Sequence, residues 1–287
     1  MTLSKDITLN MPNMALEAMS ENWLFKELGD THWALICDGL QTKSFDLKND
    51  TEDRLYATFV RIKISCDKTL KSFVENEKGN LEGKISRFGN SMYFSDISFS
   101  TGKSKVKAEM MTTFSIRNKN DNTKLAKSEP SGSINNVEVL TSFPKLGNEY
   151  RLLKKRILKK IDSTPYTFEV EPVETSIFDK IYQLNPFYDL NGVNLLYFAA
   201  YPIINDFCEA EYFNQQFPDQ RWEQTYYTAH KDVFYYANCN INEQIIYRMH
   251  SCEKLENADY KISSSLIRKS DNTVIAKIFT VKSKNHS

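Results

Sequence analysis

The chain has 287 residues, of which 41% are hydrophobic and 13% aromatic, so it can bury the core of one large domain or of two ordinary ones. Lys and Arg together number 37, and so do Asp and Glu, which gives a formal net charge of zero. A general nucleic-acid binder is therefore not expected, because non-specific affinity for nucleic acid needs an excess of positive charge.

Cysteine usage and the N-terminus favour a reduced, cytoplasmic protein. The cysteines are odd in number and form neither a CxxC pair nor a metal-binding spacing. The opening MTLSKDITLN lacks the apolar stretch of a secretory signal. The longest apolar run, LLYFAAYPII, is too short to cross a bilayer, so no membrane partner is expected. The cysteines are Cys37, Cys66, Cys208, Cys239 and Cys252.

The first half of the chain predicts one helix followed by strands. Apolar residues at helical spacing predict a helix over 14–28, which Gly29 and Asp30 are expected to end, with His32 just beyond. Segments with strand-type composition follow, and in the last of them every second residue from Val106 to Ile116 is suited to a buried face. These segments are WALICDGL, RLYATFVRIKIS, EGKISRF, SMYFSDISFS and KVKAEMMTTFSIR.

A linker is predicted between the halves, because residues 128–136 are rich in Pro, Gly, Ser and Asn. It continues into RLLKKRILKK, residues 151–160, which is basic and has leucines and isoleucine at helical spacing. Two interpretations remain open for this segment. It is either a solvated amphipathic connector or a patch for phosphates or for an acidic carrier protein.

The second half repeats the order of the first. A helix is predicted over 192–212, with a kink at Pro202, and its apolar residues surround it so fully that it must be enclosed. Glu209 and Glu211, near the end of this helix, are expected to face solvent. The predicted strands are YYTAHKDVFYYANCN, EQIIYRMHSCE, YKISSSLIRK and TVIAKIFTVK.

Internal similarity supports a duplication. The hairpin pattern IRNKNDNTKLAK, residues 116–127, resembles IRKSDNTVIAK, residues 267–277, and NWLF at 22–25 resembles NLLY at 194–197. Each half is then an antiparallel sheet wrapped around a long helix, which predicts an α+β tandem (double) hot-dog fold. The predicted domains are 1–130 and 164–287, joined by the linker 131–163.

Three longer segments resemble a family of double hot-dog biosynthetic proteins. They are MPNMALEAMSENWLFKELGDTHW, DRLYATF and NPFYDLNGVNLLYFAAYP. The family includes the bifunctional acyltransferase/decarboxylase of leinamycin biosynthesis. The resemblance implies that methylmalonyl-CoA is converted into a propionyl group on an acyl carrier protein. By its context in RLYATF, Tyr56 corresponds to the tyrosine proposed to carry the acyl group.

The sequence leaves the role of Tyr56 open. Alternation along LYATFVRIKI groups Tyr56 with Thr58, Val60, Ile62 and Ile64, and we expect this face to meet the helix. Tyr56 is then a core tyrosine, an acyl acceptor, or a hydrogen-bond donor to an enolate. A phenol with a pKa of about 10 needs a base, or an environment that lowers that pKa, before it can act as a nucleophile, whereas a hydrogen-bond donor needs neither.

Other candidate site residues are weaker. Asn22 lies on the first predicted helix and His32 past its end, where the histidine could act as a base or be structural. Asp189, Asn191 and Asn194 flank the start of the second predicted helix. These three residues either cap that helix or line a second, substrate-binding pocket.

The sequence therefore predicts an enzyme acting on acyl thioesters, with acyl-CoA and an acyl carrier protein as partners. No GxGxxG, P-loop, HExxH or GxSxG motif is present, so neither a metal nor a nucleotide cofactor is expected apart from the CoA or phosphopantetheine of the substrate. The alternatives are a hot-dog thioesterase or dehydratase, or a non-catalytic module that binds a carrier protein. A monomer and a homodimer are both reasonable.

Overall fold

The computed structural model describes residues 1–118, 121–131 and 134–284. The first half contains β1 (Thr2–Thr8), β2 (Met14–Ala15), β3 (Ala18–Met19), α1 (Glu21–Gly39), β4 (Tyr56–Cys66), β5 (Lys78–Phe88), β6 (Met92–Thr101), β7 (Lys105–Arg117) and β8 (Leu125–Lys127). The connection contains β9 (Glu138–Val139), α2 (Lys145–Lys154), β10 (Lys160–Ser163) and β11 (Tyr166–Glu169). The second half contains β12 (Phe178–Gln183), α3 (Pro186–Asp189), α4 (Ala200–Gln216), α5 (Trp222–Thr225), β13 (Tyr226–Tyr235), β14 (Gln244–Lys254), β15 (Tyr260–Arg268) and β16 (Thr273–Lys284). Short 3-10 turns occur at Met11–Asn13, Ser44–Asp46 and Leu70–Ser72.

One large sheet joins the two halves. Within the described ranges its main path has the order β1-β5-β6-β7-β4-β13-β16-β15-β14-β12, and β8 and β9 add to β7 and β5. Its neighbouring strands are antiparallel except for the short β5–β9 pair, and β4 pairs with β13 at the centre. α1 packs on β5 and β6, and α4 packs on β12 and β14 to β16. The predicted tandem hot dog, with each half-sheet wrapped around one long helix, is confirmed.

The strands follow the same order in the two half-sheets. The two sequence segments that suggested a duplication, however, do not lie at equivalent strands. The first matching hairpin joins β7 to β8, whereas the second joins β15 to β16, which correspond to β6 and β7. A better sign of equivalence is a bulge in each central strand, at Val60 in β4 and at Ala229 in β13. Bulges bend strands locally and are specific features of a fold.

The prediction for the first helix was wrong at both ends. Residues 14–19 form the small β2–β3 hairpin, turned by Leu16 and Glu17 at positive φ, and α1 begins at Glu21 with Ser20 accepting a hydrogen bond from the Trp23 N–H. The helix continues through Gly29 and includes both His32 and the predicted strand WALICDGL. A Cβ at Gly29 would lie 2.2 Å from Cζ of Phe198, so this glycine provides room for a ring and does not end the helix.

The second long helix also starts later than predicted. Residues 190–199 form an irregular segment, with Asn194 at a φ of 60°, and α4 begins at Ala200. Pro202 is the third residue of α4, where no helical N–H is required, so no kink is needed. The corresponding NLLY segment lies outside the helix, whereas NWLF lies inside α1.

Glu209 was expected to face solvent and is instead fully buried. Its Oε1 accepts a hydrogen bond from Asn205, and its Oε2 has no partner among the described residues. Burial raises the pKa of Glu209 to about 7. Glu209 was predicted to lie on the exposed face of the helix. In the structure Phe207 is the half-exposed residue and Glu209 is buried.

A buried charge cluster lies beside Glu209, between the two halves. Lys231 Nζ is 2.5 Å from Glu21 and 2.6 Å from Asp206, and Lys282 Nζ is 2.9 Å from Asp206. The Thr228 hydroxyl donates to Glu21 and accepts from Lys282. When the two bulges are superimposed, Thr228 corresponds to Phe59 of β4, so equivalent positions carry polar side chains in one half and an aromatic ring in the other.

The bulge at Val60 reverses the predicted side of Tyr56. Ala57 packs with the apolar cluster at the C-terminal part of α1, and the Phe59 ring lies 5.6 Å from the His32 ring. Tyr56 alternates with these residues and therefore shares the outer face with Thr58 and Val60, toward α2. After the bulge, Ile62 and Ile64 return to the helix side. The prediction that Tyr56 faces the helix was therefore wrong.

The connection covers this outer face. Leu146 of α2 packs with Val60, Phe94 and Met111, and Arg61 donates to Asp232 through Nε and Nη2 at 2.9 and 2.6 Å. α2 ends at Lys154, so the helical spacing read over 151–160 extends beyond the helix. The domain boundaries at 130 and 163 stay a prediction. None of the helices in the part of the chain that the structure describes has the length and hydrophobicity needed to span a bilayer.

Candidate active site

A cavity of about 840 Å³ lies where the two central strands separate. β4 and β13 pair only over 61–65 and 230–234, so residues 56–60 have no partner in β13. These unpaired residues form part of the cavity wall. α1 contributes Gly29, Asp30 and Trp33 from one side of the sheet, and α2 contributes Tyr150 from the other. The cavity is therefore built from both halves and from the connection between them.

Aromatic side chains dominate the wall. The Phe59 and Phe198 ring centroids are 4.1 Å apart, and those of Tyr197 and Phe198 are 4.6 Å apart. Such a surface suits an apolar group of a ligand, since aromatic side chains bury large areas at low entropic cost. The aromatic members of the wall are Trp33, Tyr56, Phe59, Phe143, Tyr150, Tyr197, Phe198, Tyr201, Tyr235 and Tyr236.

Several tyrosine hydroxyls of this wall are used to hold the fold. Tyr150 donates to the carbonyl of Tyr235, Tyr235 to that of Phe198, and Tyr201 to that of Ala237. Burial raises the pKa of each of these phenols above its usual value, so all three stay protonated near neutral pH. They fix the shape of the wall and are poor candidates for chemistry.

Tyr56 differs from these three tyrosines. It is half-buried at the start of β4, and the Arg54 guanidinium lies 5.2 Å from its ring centroid. Among the described residues, its hydroxyl has no hydrogen-bond partner, although the ring lines the cavity. A hydroxyl in this position is available to donate to a bound ligand.

Only one of the three predicted residues near the second helix lines the cavity. Asn191 does so, and its Oδ1 accepts from the N–H groups of Val193 and Leu195 and so shapes the loop. Asp189 is buried outside the lining, where it accepts from Tyr182 and from the Asn185 N–H. Asn194 is exposed, and its carbonyl accepts from Asn122. None of the three caps α4, which begins later.

His32 and Asn22 also lie outside the lining. His32 is fully buried in α1, with Nδ1 2.7 Å from the Ser95 hydroxyl and Nε2 2.7 Å from the Thr112 hydroxyl. Burial lowers the pKa of His32 to about 3, so the imidazole is neutral at physiological pH. Asn22 is exposed in the first turn of the same helix. The structure brings neither residue to Tyr56.

Sequence reasoning missed several members of the site. Asp30, Tyr150, Tyr236 and Asn238 all line the cavity. Asp30 had been assigned to a helix end, and the others lie far apart in the chain with no shared motif. The basic segment after Tyr150 was recognised, and its residues Arg151, Lys154 and Lys155 line the cavity together with Lys127.

Comparison with known proteins supports the fold. No protein-family model matches the sequence, and no curated protein matches it either. A solved structure from Lactobacillus plantarum, described as an oleoyl thioesterase, is similar with a TM-score of 0.68 at 10% identity, over 100% of this chain and 96% of that one.

Two further solved structures are similar over nearly their whole lengths. The 12:0-ACP thioesterase of Umbellularia californica has a TM-score of 0.65 at 9% identity, covering 99% of this chain and 94% of its own. An acyl-ACP thioesterase of Bacteroides thetaiotaomicron VPI-5482 has a TM-score of 0.59 at 11% identity, covering 98% and 97%. At such identities the likeness shows the double hot-dog fold alone.

Proposed function

We propose that the protein is an enzyme acting on acyl thioesters of pantetheine, carried either by CoA or by an acyl carrier protein. The cavity is the observation that carries this proposal. Its aromatic wall suits an acyl group, the Tyr56 hydroxyl suits a thioester oxygen, and the four cations at its mouth suit a phosphorylated arm. The similarity to structures named as oleoyl and acyl-ACP thioesterases supports the same substrate class.

Hydrolysis is the first candidate reaction, since the similar structures are named as thioesterases. Water adds to the thioester carbonyl, the C–S bond breaks, and the thiol leaves with a proton. Asp30 is the carboxylate of the described cavity lining, so we assign to it the proton taken from water. Tyr56 would donate a hydrogen bond to the oxyanion.

Acyl transfer with decarboxylation is the second candidate, favoured by the resemblance around Tyr56. Here the bond between the α-carbon and the carboxylate breaks, CO₂ leaves, and the electron pair moves to the thioester oxygen as an enolate. That enolate needs a donor rather than a base, which the unpartnered Tyr56 hydroxyl would provide. A proton from solvent then adds to the α-carbon, and the carrier thiol attacks the acyl carbonyl, so that the bond to the CoA sulfur breaks and CoA leaves as the thiol with the proton from the carrier.

One incubation separates the two reactions. The protein is mixed with methylmalonyl-CoA, or with a medium-chain acyl-CoA, and a holo acyl carrier protein, and the products are identified by intact mass. Free acid supports hydrolysis, and a carrier loaded with a propionyl group supports decarboxylating transfer. No turnover, together with stable carrier binding, would contradict both reactions and fit a non-catalytic carrier-binding module.

A further inference from the structure

Five cations line the cavity, and one of them, Arg54, lies over the Tyr56 ring. The other four lie on and beside α2 and are called here the mouth cluster: Lys127, Arg151, Lys154 and Lys155. β8 provides Lys127, α2 provides Arg151 and Lys154, and Lys155 caps the C-terminus of α2. All four are exposed and all four line the cavity. The mouth cluster therefore faces both solvent and any ligand entering the site.

The mouth cluster has no counter-charge of its own. Among the residues that the structure describes, no carboxylate oxygen forms an ion pair with any of its members within 4.0 Å. Some exposed lysines elsewhere are paired, such as Lys84 with Glu138 and Lys160 with Glu169. Partial desolvation by the surrounding protein and the positive charge of Lys127 both lower the pKa of Lys154, whose side chain stays exposed. Like charges are thus held close together without neutralisation.

Stabilisation of the α2 helix explains only three of the four cations of the mouth cluster. Cations near the C-terminus of α2 are stabilised by the helix dipole, which accounts for Arg151, Lys154 and Lys155. It does not account for Lys127, which comes from a strand of the N-terminal half.

The charged groups of two residues in the mouth cluster also make cation–π contacts with aromatic rings of the cavity. The Arg151 guanidinium lies 5.6 Å from the Phe143 ring centroid, and Lys154 Nζ lies 5.8 Å from that of Tyr150. Both rings line the cavity, so these contacts hold the cations at its edge.

We propose that the mouth cluster binds the phosphate at the end of the substrate's pantetheine arm. This assignment rests on the proposed function, since it requires a pantetheine thioester in the cavity. Tyr56 pairs with Ser115 of β7, and Ser115 pairs with Lys127 of β8, so Tyr56 and Lys127 lie two strands apart on the same face of the sheet, within the span of one extended arm. The phosphate can belong to CoA or to the prosthetic group of a carrier protein, and lysine and arginine are the side chains that bind it best.

The test compares thioesters that share the acyl group and differ in their phosphates. Steady-state KM is measured for N-acetylcysteamine, phosphopantetheine, CoA and carrier-protein thioesters, with Lys154→Ala/Lys155→Ala against the wild type. The matched control is Lys68→Ala/Lys78→Ala, which removes the same charge from exposed sites outside the cavity lining. The affinities for free phosphopantetheine and for free CoA are measured in parallel by calorimetry, so binding is followed even without turnover.

The expected result is a KM for the phosphopantetheine thioester that rises about tenfold relative to that for the N-acetylcysteamine thioester, a change of about 1.4 kcal/mol. The control variant should change neither. A similar rise with CoA or with the carrier identifies the source of the phosphate. An effect confined to CoA, or an equal effect on all four thioesters, would overturn the assignment. If the wild type turned over none of them, yet Lys154→Ala/Lys155→Ala weakened the binding of free phosphopantetheine as much as that of free CoA, the proposed reactions would fail while this inference stood.

Discussion

Tyr56 is the residue whose removal should affect activity without affecting the fold. Its hydroxyl forms no hydrogen bond with the described residues, so Tyr56→Phe removes a donor to the ligand and no internal hydrogen bond. We expect kcat/KM to fall by about 10²-fold or more, as for loss of one oxyanion donor, with an unchanged melting temperature. Thioester turnover and thermal unfolding measure the two effects.

Tyr93→Phe is the matched control for that variant. The Tyr93 hydroxyl accepts a hydrogen bond from Asn135 at 2.7 Å and lies outside the cavity lining. Its loss should cost about 1 kcal/mol of stability and leave turnover intact. A folded, fully active Tyr56→Phe protein would remove Tyr56 from both proposed reactions.

His32 should make the protein less stable in mild acid. Its pKa is about 3 in the folded protein and 6.5 in the reference state, so between these values only the unfolded chain binds the proton. Stability attributable to His32 is therefore present above pH 6.5 and is lost as the pH falls toward 3, at about 1.4 kcal/mol per pH unit. Glu209, whose pKa is raised to about 7, acts in the opposite direction over part of this range.

The comparison of variants isolates the histidine from Glu209. Urea unfolding between pH 7 and pH 5 should show a smaller loss of stability with decreasing pH for His32→Gln than for the wild type. The expected difference in slope is about one proton. Equal slopes would mean that His32 is protonated in the folded protein or that its pKa is not depressed.

At the scale of elements, Gly29 shows how one helix and one loop depend on each other. Alanine is a better helix former than glycine by about 1 kcal/mol, yet its Cβ would collide with Phe198, which is packed on Phe59 and Tyr197. We expect Gly29→Ala to destabilise the protein by about 1–3 kcal/mol, measured by urea unfolding.

Two further variants test the origin of that cost. Gly29→Ala/Phe198→Leu should recover part of the lost stability, because the smaller side chain relieves the contact. Gly102→Ala, where no atom would lie within 4 Å of the new Cβ, should be nearly neutral. If the collision were unimportant, Gly29→Ala would stabilise α1 instead.

Local alternation predicted the strands well and the helices poorly. β7 was predicted at its observed bounds, and the long strands of both halves were found. The first helix was predicted to end too early because Gly29 was interpreted as a stop. In the structure Gly29 makes room for the ring of Phe198, which lies far away in the chain. The second helix was predicted to begin too early because residues 192–199 are mostly apolar. Their apolar side chains line the cavity and fill the core, and the segment is not helical.

The site could be predicted only in part for a related reason. Tyr56 and Asn191 were identified from motifs, but the face of Tyr56 depends on a single bulged residue that strict alternation does not reveal. Tyr150, Tyr236 and Asn238 belong to the cavity because β4 and β13 separate there. Strand separation is a property of tertiary packing and leaves no local pattern in the sequence.

At the scale of the whole molecule, the two halves should unfold together. β4 and β13 share one ladder, Arg61 and Asp232 pair across it, and Lys231 contacts Glu21 of the other half. Separating the halves would expose these buried charges, which is costly. We expect one calorimetric transition in which the van't Hoff and calorimetric enthalpies agree.

Asp232→Asn tests the coupling between the halves. It removes the carboxylate that holds the buried Arg61, so the single transition should move to a lower temperature by an amount equivalent to about 3–5 kcal/mol. Two resolved transitions in the wild type, or a variant that destabilised only one of them, would show that the halves fold independently.

The superimposed bulges show that the two halves differ at equivalent positions. Two equal halves would present two equivalent clefts, and this chain has kept an aromatic wall at Phe59 while the matching position, Thr228, is occupied by buried polar and charged groups. Two identical subunits would have to preserve both clefts in one sequence. In a single chain each half can change independently. One half can then keep an open cavity for a ligand, while the equivalent position in the other half is filled by the protein's own side chains.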